Sequence, residues 1–326
     1  MGYSPVMKKY KIAITTGDPA GIGPEIACKF ASSLKGSEEF EPVFISYDYI
    51  LKQTYENILK TEMPDIAIVE PDEKMNFDVE YGRIKPEYGK ASMLFVEKGI
   101  KMAQAGEVDA MVTCPINKAS IKAGGYNFPG HTEFLGYMTK TRNFSMLMVG
   151  KNIRTVLATT HVPMAELADK LDEKAVMNAI LNAHGAGPFF CGKREPRIAV
   201  CGLNPHAGDN GALGDEEITL IRPVIEIAQA GGMNVEGPFS ADSLFPRAAK
   251  GEFDFVVVMY HDQGLIPVKL EAFGNAVNVT LNLPIIRTSV DHGTAFEIAG
   301  KGVADHHSLI RAVEVAVEMV KNAKSA

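Results

Sequence analysis

The stretch Gly17-Asp18-Pro19-Ala20-Gly21-Ile22-Gly23-Pro24-Glu25 decides how this chain is read. It leaves an apolar run, KIAITT (11–16), with the composition of a strand, and enters PEIACKFASSL (24–34), whose apolar spacing suits a helix. A glycine-rich strand-to-helix turn is where nucleotide-binding folds hold phosphate, so the stretch is either such a cradle or a tight bend. The dinucleotide fingerprint needs a third glycine for close helix packing. Gly21 and Gly23 supply two glycines, and Ile26 stands at the third place. Asp48, after the second strand candidate, mimics the acidic residue that holds a ribose. Pro24 suits the first helical position, and a tight turn into a well-started helix is the plainer reading. Another mimic, GPFFCGKR (187–194), matches G-x-x-x-x-G-K. Arg194 replaces the Ser or Thr that would hold magnesium and a strand candidate follows, so a P-loop is rejected.

Working outward, short β-rich runs alternate with amphipathic stretches. Strands are expected at 11–16, 42–46, 65–69, 109–114, 145–149, 154–159, 197–201, 253–259 and 276–281. Helices are expected at 24–34, 49–59, 89–105, 173–183, 215–230 and 307–324. This alternation predicts an α/β architecture of parallel strands and crossover helices. The 326 residues, 46% hydrophobic and 22% charged, suffice for two domains or one large one. With no repeat, low-complexity tract or linker, a two-domain chain must cross between domains more than once.

A net charge of -7 argues against nucleic-acid and membrane-surface partners, while a small anionic substrate needs only a local cluster of cations. Cys28, Cys114, Cys191 and Cys201 lack C-x-x-C spacing and lie in or near apolar runs, which suits buried thiols in a reducing cytoplasm. No apolar run is long enough to cross a bilayer, and the N-terminus lacks a signal-peptide core. Val6 stands where a myristoylation signal needs Ser or Thr, and the native start is Met1 or Met7.

Three apolar runs end in histidine: RTVLATTH at His161, RIAVCGLNPH at His206 and FDFVVVMYH at His261. Ligand sites of parallel sheets lie outside the carboxyl ends of strands, so the three are either ligands of one divalent metal or unrelated loop residues. Imidazole favours zinc, cobalt or nickel over magnesium. No H-E-x-x-H is present, which excludes the common helical metalloprotease site. Asp262 follows His261 and either orients it or caps a turn. His206 sits in GLNPHAGDNGALGDEE, a glycine-rich loop in which Asp215, Glu216 and Glu217 read as helix-start residues. GHTEF places His131 and Thr132 at a helix start, either as an anion site or with Thr132 as a simple N-cap. Lys269, Asn278 and Arg287 fall in or beside the late strands, as solvated edges or as anchors for a phosphorylated substrate.

The motifs GDPAGIGPE, GHTEFL, TTH, GLNPHAG, ADSLF, MYHDQG and VNVTLNLPIIRTSVDHGTAFEIAGKG resemble those of the 4-hydroxythreonine-4-phosphate dehydrogenases of pyridoxal phosphate biosynthesis, from about Lys11 to the last helix. That family is similar to the isocitrate and isopropylmalate dehydrogenases, which bind NAD without a Rossmann fingerprint. The resemblance implies a two-domain α/β subunit of isocitrate/isopropylmalate dehydrogenase type, with an active-site cleft between domains and an obligate homodimer. By analogy the first domain holds residues 1–125 and 270–326 and the second 126–269. The resemblance implies metal ligands His161, His206 and His261, the last supplied by the partner subunit. It implies substrate contacts from His131, Thr132, Lys269, Asn278 and Arg287. The loop 292–302 resembles the adenosine-binding loop, with His292, Gly293, Thr294 and Glu297 toward NAD and Glu297 accepting from the ribose hydroxyls. The opening turn then becomes a fold element.

The implied reaction is NAD-dependent oxidation of 4-phosphohydroxy-L-threonine at C3, assisted by zinc, cobalt or magnesium, followed by decarboxylation. Lys269 and Asp242 are both candidates for the base. Alternatives are a 4-phospho-D-threonate or 4-phospho-D-erythronate dehydrogenase of sugar-acid catabolism and, more distantly, a zinc hydrolase. An acyltransferase leaves the three histidines without a task, and a non-catalytic binding module leaves the whole set of expected residue types unexplained.

Overall fold

The computed structural model describes residues 9–34, 39–192 and 195–325. The candidate starts Met1 and Met7, Val6 between them, and Arg194 of the rejected P-loop lie outside the described residues. The chain forms two compact α/β units: Met1–Thr141 with Leu283–Val320, and Arg142–Asn282 with Lys321–Ala326.

In the first unit the strands are β1 (Tyr10–Thr15), β2 (Phe40–Ile45), β3 (Ala67–Val69) and β4 (Ala110–Thr113). In the second they are β5 (Ser145–Val149), β6 (Arg154–Leu157), β7 (Ile198–Cys201), β8 (Val235–Phe239), β9 (Phe255–Val258) and β10 (Val277–Leu281). The chain then returns to the first unit for β11 (Arg287–Val290). The order in the first unit is β3-β2-β1-β4-β11, parallel throughout. Its central strands are buried on both faces, as parallel strands covered by helices must be. The helix Pro86–Gln104 lays Phe95, Val96 and Ile100 into a core with Ala13, Ile45 and Met111. In the second unit the order is β10-β5-β6-β9-β7-β8, with β6, β9, β7 and β8 mutually parallel and the β10–β5 and β5–β6 pairs antiparallel.

The units divide at 141/142 and 282/283, later in the chain than the edges read from the sequence at 125/126 and 269/270. Packing sets the first edge. Tyr126, Phe128, Phe134 and Leu135 join the core of the first unit, with the Phe128 and Phe134 rings 5.1 Å apart. The second edge follows from pairing, because β10 runs antiparallel to β5.

The opening turn binds its own chain. A Cβ on Gly17 would stand 2.2 Å from the Pro115 carbonyl oxygen, and one on Gly23 would stand 2.0 Å from that of Thr16. Ile22 N–H donates to the Thr294 carbonyl at 3.0 Å, and a Cβ on Gly21 would meet Thr294 at 3.0 Å. The glycines admit neighbouring backbone, and the turn seats the loop that follows β11.

Asp18 in this turn is fully buried. Its Oδ1 accepts from Ala20 N–H at 2.9 Å. Burial outweighs that bond and the nearby Ser120 hydroxyl, and raises the carboxyl from 3.8 to about 6. A raised carboxyl pKa means the folded protein holds the proton where the unfolded chain releases it, so stability falls as pH rises from 3.8 through 6. At roughly 1.4 kcal/mol per pKa unit the cost above that window is about 2–3 kcal/mol. Asp18→Asn keeps the acceptor and removes the charge. Its melting temperature is expected to exceed that of the wild type by several degrees at pH 8, with the gain vanishing near pH 4. Equal melting temperatures at pH 8 would show that the carboxylate is better solvated than its burial implies.

Candidate active site

Four neighbouring parallel strands of the second unit deliver polar residues at their carboxyl ends. His161 follows β6, His261 follows β9, His206 follows β7 and Asp242 follows β8. Parallel direction puts all four at carboxyl ends, the usual place for chemistry in such sheets. The His161 and His261 rings lie 5.8 Å apart between centroids. His261 Nδ1 and Asp262 Oδ1 are 2.8 Å apart. Gln263, in the motif MYHDQG, ties these strand ends together. Its Oε1 accepts from Met259 N–H and its Nε2 donates to the Gly202 carbonyl, both at 2.7 Å.

His206 occupies a left-handed turn. Every residue from 206 to 211 has positive φ: 54° at His206, 51° at Ala207, 79° at Gly208, 42° at Asp209, 52° at Asn210 and 93° at Gly211. Left-handed geometry costs about 1–2 kcal/mol for each residue bearing a Cβ. Glu217 supplies the compensation. It is buried, and its Oε1 accepts from Leu203 N–H and Asn204 N–H at 2.7 Å each, while Asn204 Nδ2 donates to its Oε2 at 3.0 Å. The sequence placed Glu217 among helix-start acids, and it does open a helical segment, Glu217–Ile221; its carboxylate turns back onto the loop.

Asp242 is exposed at the start of the helix Ala241–Ala248. Its Oδ1 accepts from Ser240 Oγ–H at 2.5 Å and Ser243 N–H at 2.9 Å. The Ser240 bond leads, with a smaller contribution from His206, in holding the carboxyl below the usual range, so Asp242 is a poor proton acceptor. Lys269 requires a correction. PVKLEAF is no strand border. It closes the helix His261–Ala272, which buries Leu265, Val268 and Ala272 and leaves Lys269 exposed. Asn278, on β10, keeps a buried Oδ1 that accepts no hydrogen bond.

In the first unit, His131 and Thr132 begin the helix His131–Thr139. Gly130 is the N-cap and no side chain caps the end, so Thr132 is not the cap. Arg287, at the start of β11, is buried and donates from Nη2 to Thr113 Oγ1 at 2.6 Å. Burial lowers the guanidinium to about 9, relieved in part by Glu133, and leaves it a cation at neutral pH. Burial, aided by the Arg287 charge, holds His131 well below the imidazole value of 6.5, so its ring is neutral at pH 7. Its Nε2 is buried without a hydrogen-bond partner. A buried cation, an orphaned imidazole nitrogen and an uncapped helix start form the makings of an anion site. In loop 292–302, His292 Nδ1 lies 3.0 Å from the Gly293 carbonyl and Glu297 is exposed.

The sequence profile of the family described as pyridoxal phosphate biosynthetic protein PdxA matches residues 38–316. The chain belongs to the PdxA family. A 4-hydroxythreonine-4-phosphate dehydrogenase of Desulfosudis oleivorans is 42% identical over 94% of this chain and 95% of its own. A D-threonate 4-phosphate dehydrogenase of Cupriavidus necator is 39% identical over 94% and 96%. The crystal structure of the Klebsiella pneumoniae 4-hydroxythreonine-4-phosphate dehydrogenase superposes with a TM-score of 0.85 at 34% identity, covering 96% of this chain and all of that one. The α/β fold is thus that of solved PdxA relatives. No helix among the described residues is long and apolar enough to cross a membrane.

The donor chemistry at the second-unit strand ends fits a divalent ion, since imidazoles and a carboxylate emerge side by side. Among the described residues, the three histidines do not close around one point within a single chain. Among the described residues, the group of three such side chains with ligand atoms within 4.8 Å of one another is Asp305, His306 and His307. There Asp305 Oδ1 is already engaged by His307 N–H and Nδ1, at 2.9 and 2.5 Å.

Proposed function

We propose that the chain is an NAD-dependent, divalent-metal-assisted dehydrogenase that oxidises the C3 hydroxyl of 4-phosphohydroxy-L-threonine. The product, 2-amino-3-oxo-4-phosphooxybutanoate, loses CO2 to give 3-amino-2-oxopropyl phosphate. The observation that carries this reading is the delivery of His161, His261 and His206 at the carboxyl ends of three neighbouring parallel strands. A homodimer in which His261 serves the partner's site does not need the three imidazoles to meet within one chain. The apolar stripe Ile266, Leu270 and Phe273, exposed on and just beyond the His261 helix, supports burial against a second copy.

A bound divalent ion would supply acidification of the C3 hydroxyl, and a bound nicotinamide would supply the hydride acceptor. The chain supplies positioning and proton transfer. His161 and His206, with a second copy's His261, would hold the ion. Arg287 provides the positive charge for the phosphate, and His131 and the start of its helix provide neutral donors. Asn278 Oδ1, a buried acceptor, suits a donor group of the substrate. Asp242, its carboxyl held below the usual range chiefly by Ser240, is the weaker proton acceptor of the two candidate bases, and Lys269 takes the hydroxyl proton only after releasing its own. Thr294 and Glu297 would hold the nucleotide, with Glu297 as the acceptor for the ribose hydroxyls.

A second reading is oxidation of 4-phospho-D-threonate, favoured by the Cupriavidus relative, whose identity to this chain is nearly that of the Desulfosudis enzyme. NADH formation by purified protein with NAD and zinc or magnesium should be compared on 4-phosphohydroxythreonine, 4-phosphothreonate and 4-phosphoerythronate. Preference for the amino substrate is expected. Preference for a hydroxy acid would move the protein to the second reading, and no NADH from any of the three would remove both.

A further inference from the structure

We propose that Glu25 and Lys29 form a latch that holds the segment ending the 292–304 loop in its nucleotide-receiving shape, an inference that rests on the NAD reading above. The two residues lie one turn apart on the helix Gly23–Ser33, with Lys29 Nζ 2.9 Å from Glu25 Oε1. Together they grip both polar groups of the same two backbone units. Glu25 accepts from Gly302 N–H at 3.3 Å and Ala304 N–H at 2.7 Å. Lys29 donates to the Gly302 carbonyl at 2.9 Å and the Ala304 carbonyl at 2.7 Å. Val303 between them is exposed, so the strip turns its backbone at residues 302 and 304 toward the helix.

Such an arrangement exceeds what helix stability needs. A surface pair at this spacing contributes little and is normally solvated. Here Glu25 is buried, and a buried carboxylate persists only where cation and N–H donors surround it. The beginning of the loop is held by the same element, through Ile22 N–H on the Thr294 carbonyl. Its middle rests on residues 81 and 82: a Cβ on Gly300 would strike the Tyr81 ring, and one on Gly82 would approach the Phe296 carbonyl at 2.9 Å. Glu25 closes the opening GIGPE run, in the first turn of its helix. The structure gives it a role as a positioning residue, acting on nucleotide only through the loop.

The test is NAD affinity measured by calorimetry on the intact protein, paired with hydrogen exchange at Gly302 and Ala304. Lys29→Met removes both donors and leaves Glu25 buried without its cation. We expect its NAD Kd to rise about tenfold or more, by analogy with the 10–100-fold effect of removing partners one layer away from a ligand. KM for NAD should rise in step while kcat at saturating NAD stays within about twofold, and the two amides should exchange faster. Lys29→Arg, which keeps a cation and several donors, should restore affinity. Lys29→Gln should fall between and serves in place of Lys29→Met if that variant does not fold. An unchanged NAD Kd despite faster exchange would overturn the latch, because the contact would then be structural alone. Failure of the wild type to bind NAD would remove the nucleotide reading and the latch with it.

Discussion

Removing the imidazole of His206 is expected to cut turnover about a thousandfold, because a ligand set reduced to two histidines loses several kcal/mol of charge stabilisation at about 1.4 kcal/mol per tenfold. The backbone complicates the choice of variant. His206 has φ 54°, and alanine tolerates that region less well than asparagine. His206→Ala therefore combines loss of a ligand with about 1 kcal/mol of strain, whereas His206→Asn isolates the ligand. Both should remain folded, since the side chain is exposed and Glu217 continues to hold the loop. Zinc affinity, read with a chromophoric chelator, should fall in both. Unchanged zinc affinity and turnover in His206→Asn would dismiss the metal role, as would near-normal activity of the wild type in metal-stripped buffer.

Arg287→Met is expected to raise KM for the phosphorylated substrate by about 100-fold or more, since hydrogen bonds to charged groups contribute roughly 1.5–3 kcal/mol each. The effect should be selective. Methionine is apolar and of similar reach, and it removes the desolvation cost that burial places on the guanidinium. The variant should thus melt no lower than the wild type except for the lost bond to Thr113 Oγ1. NAD affinity should be unaffected. Substrate KM within twofold of the wild type would mean that Arg287 is a structural cation and that the phosphate is held elsewhere.

Periodicity carried much of the architecture, and the failures have physical causes. The β1 and β5 strands are dense apolar runs bounded by glycine or polar residues, and their limits were readable. The β8 strand, VEGPF, is interrupted by Gly237-Pro238, and β11, RTSV, has the composition of a loop; burial inside the sheet makes it a strand. The helix His261–Ala272 was hidden because Pro267 and β-branched neighbours give PVKLEAF the character of a sheet border. Strand-end histidines were legible because they close apolar runs. Glu217, Gln263 and Lys29 were not, because their partners are backbone groups distant in sequence: 13 and 14 residues away for Glu217, 61 for Gln263 and 273 or 275 for Lys29. A charged residue that binds backbone leaves no pattern in its own neighbourhood. The one available signal was an acid or base in a stretch otherwise poor in charge, as Glu25 is.

The way the first unit is stitched from two ends of the chain has a consequence during synthesis. Its last strand, β11, pairs with β4, and the Arg287–Thr113 bond spans 174 residues. At roughly 5–20 residues per second, a ribosome needs on the order of ten to thirty seconds to cover that distance. Throughout that interval the emerging amino-terminal half carries an open β4 edge and an unfilled seat for the loop that Glu25 and Lys29 later grip. The second unit, nearly continuous in sequence, can complete most of itself meanwhile. The carboxyl-terminal segment is therefore the closing stitch of the nascent protein.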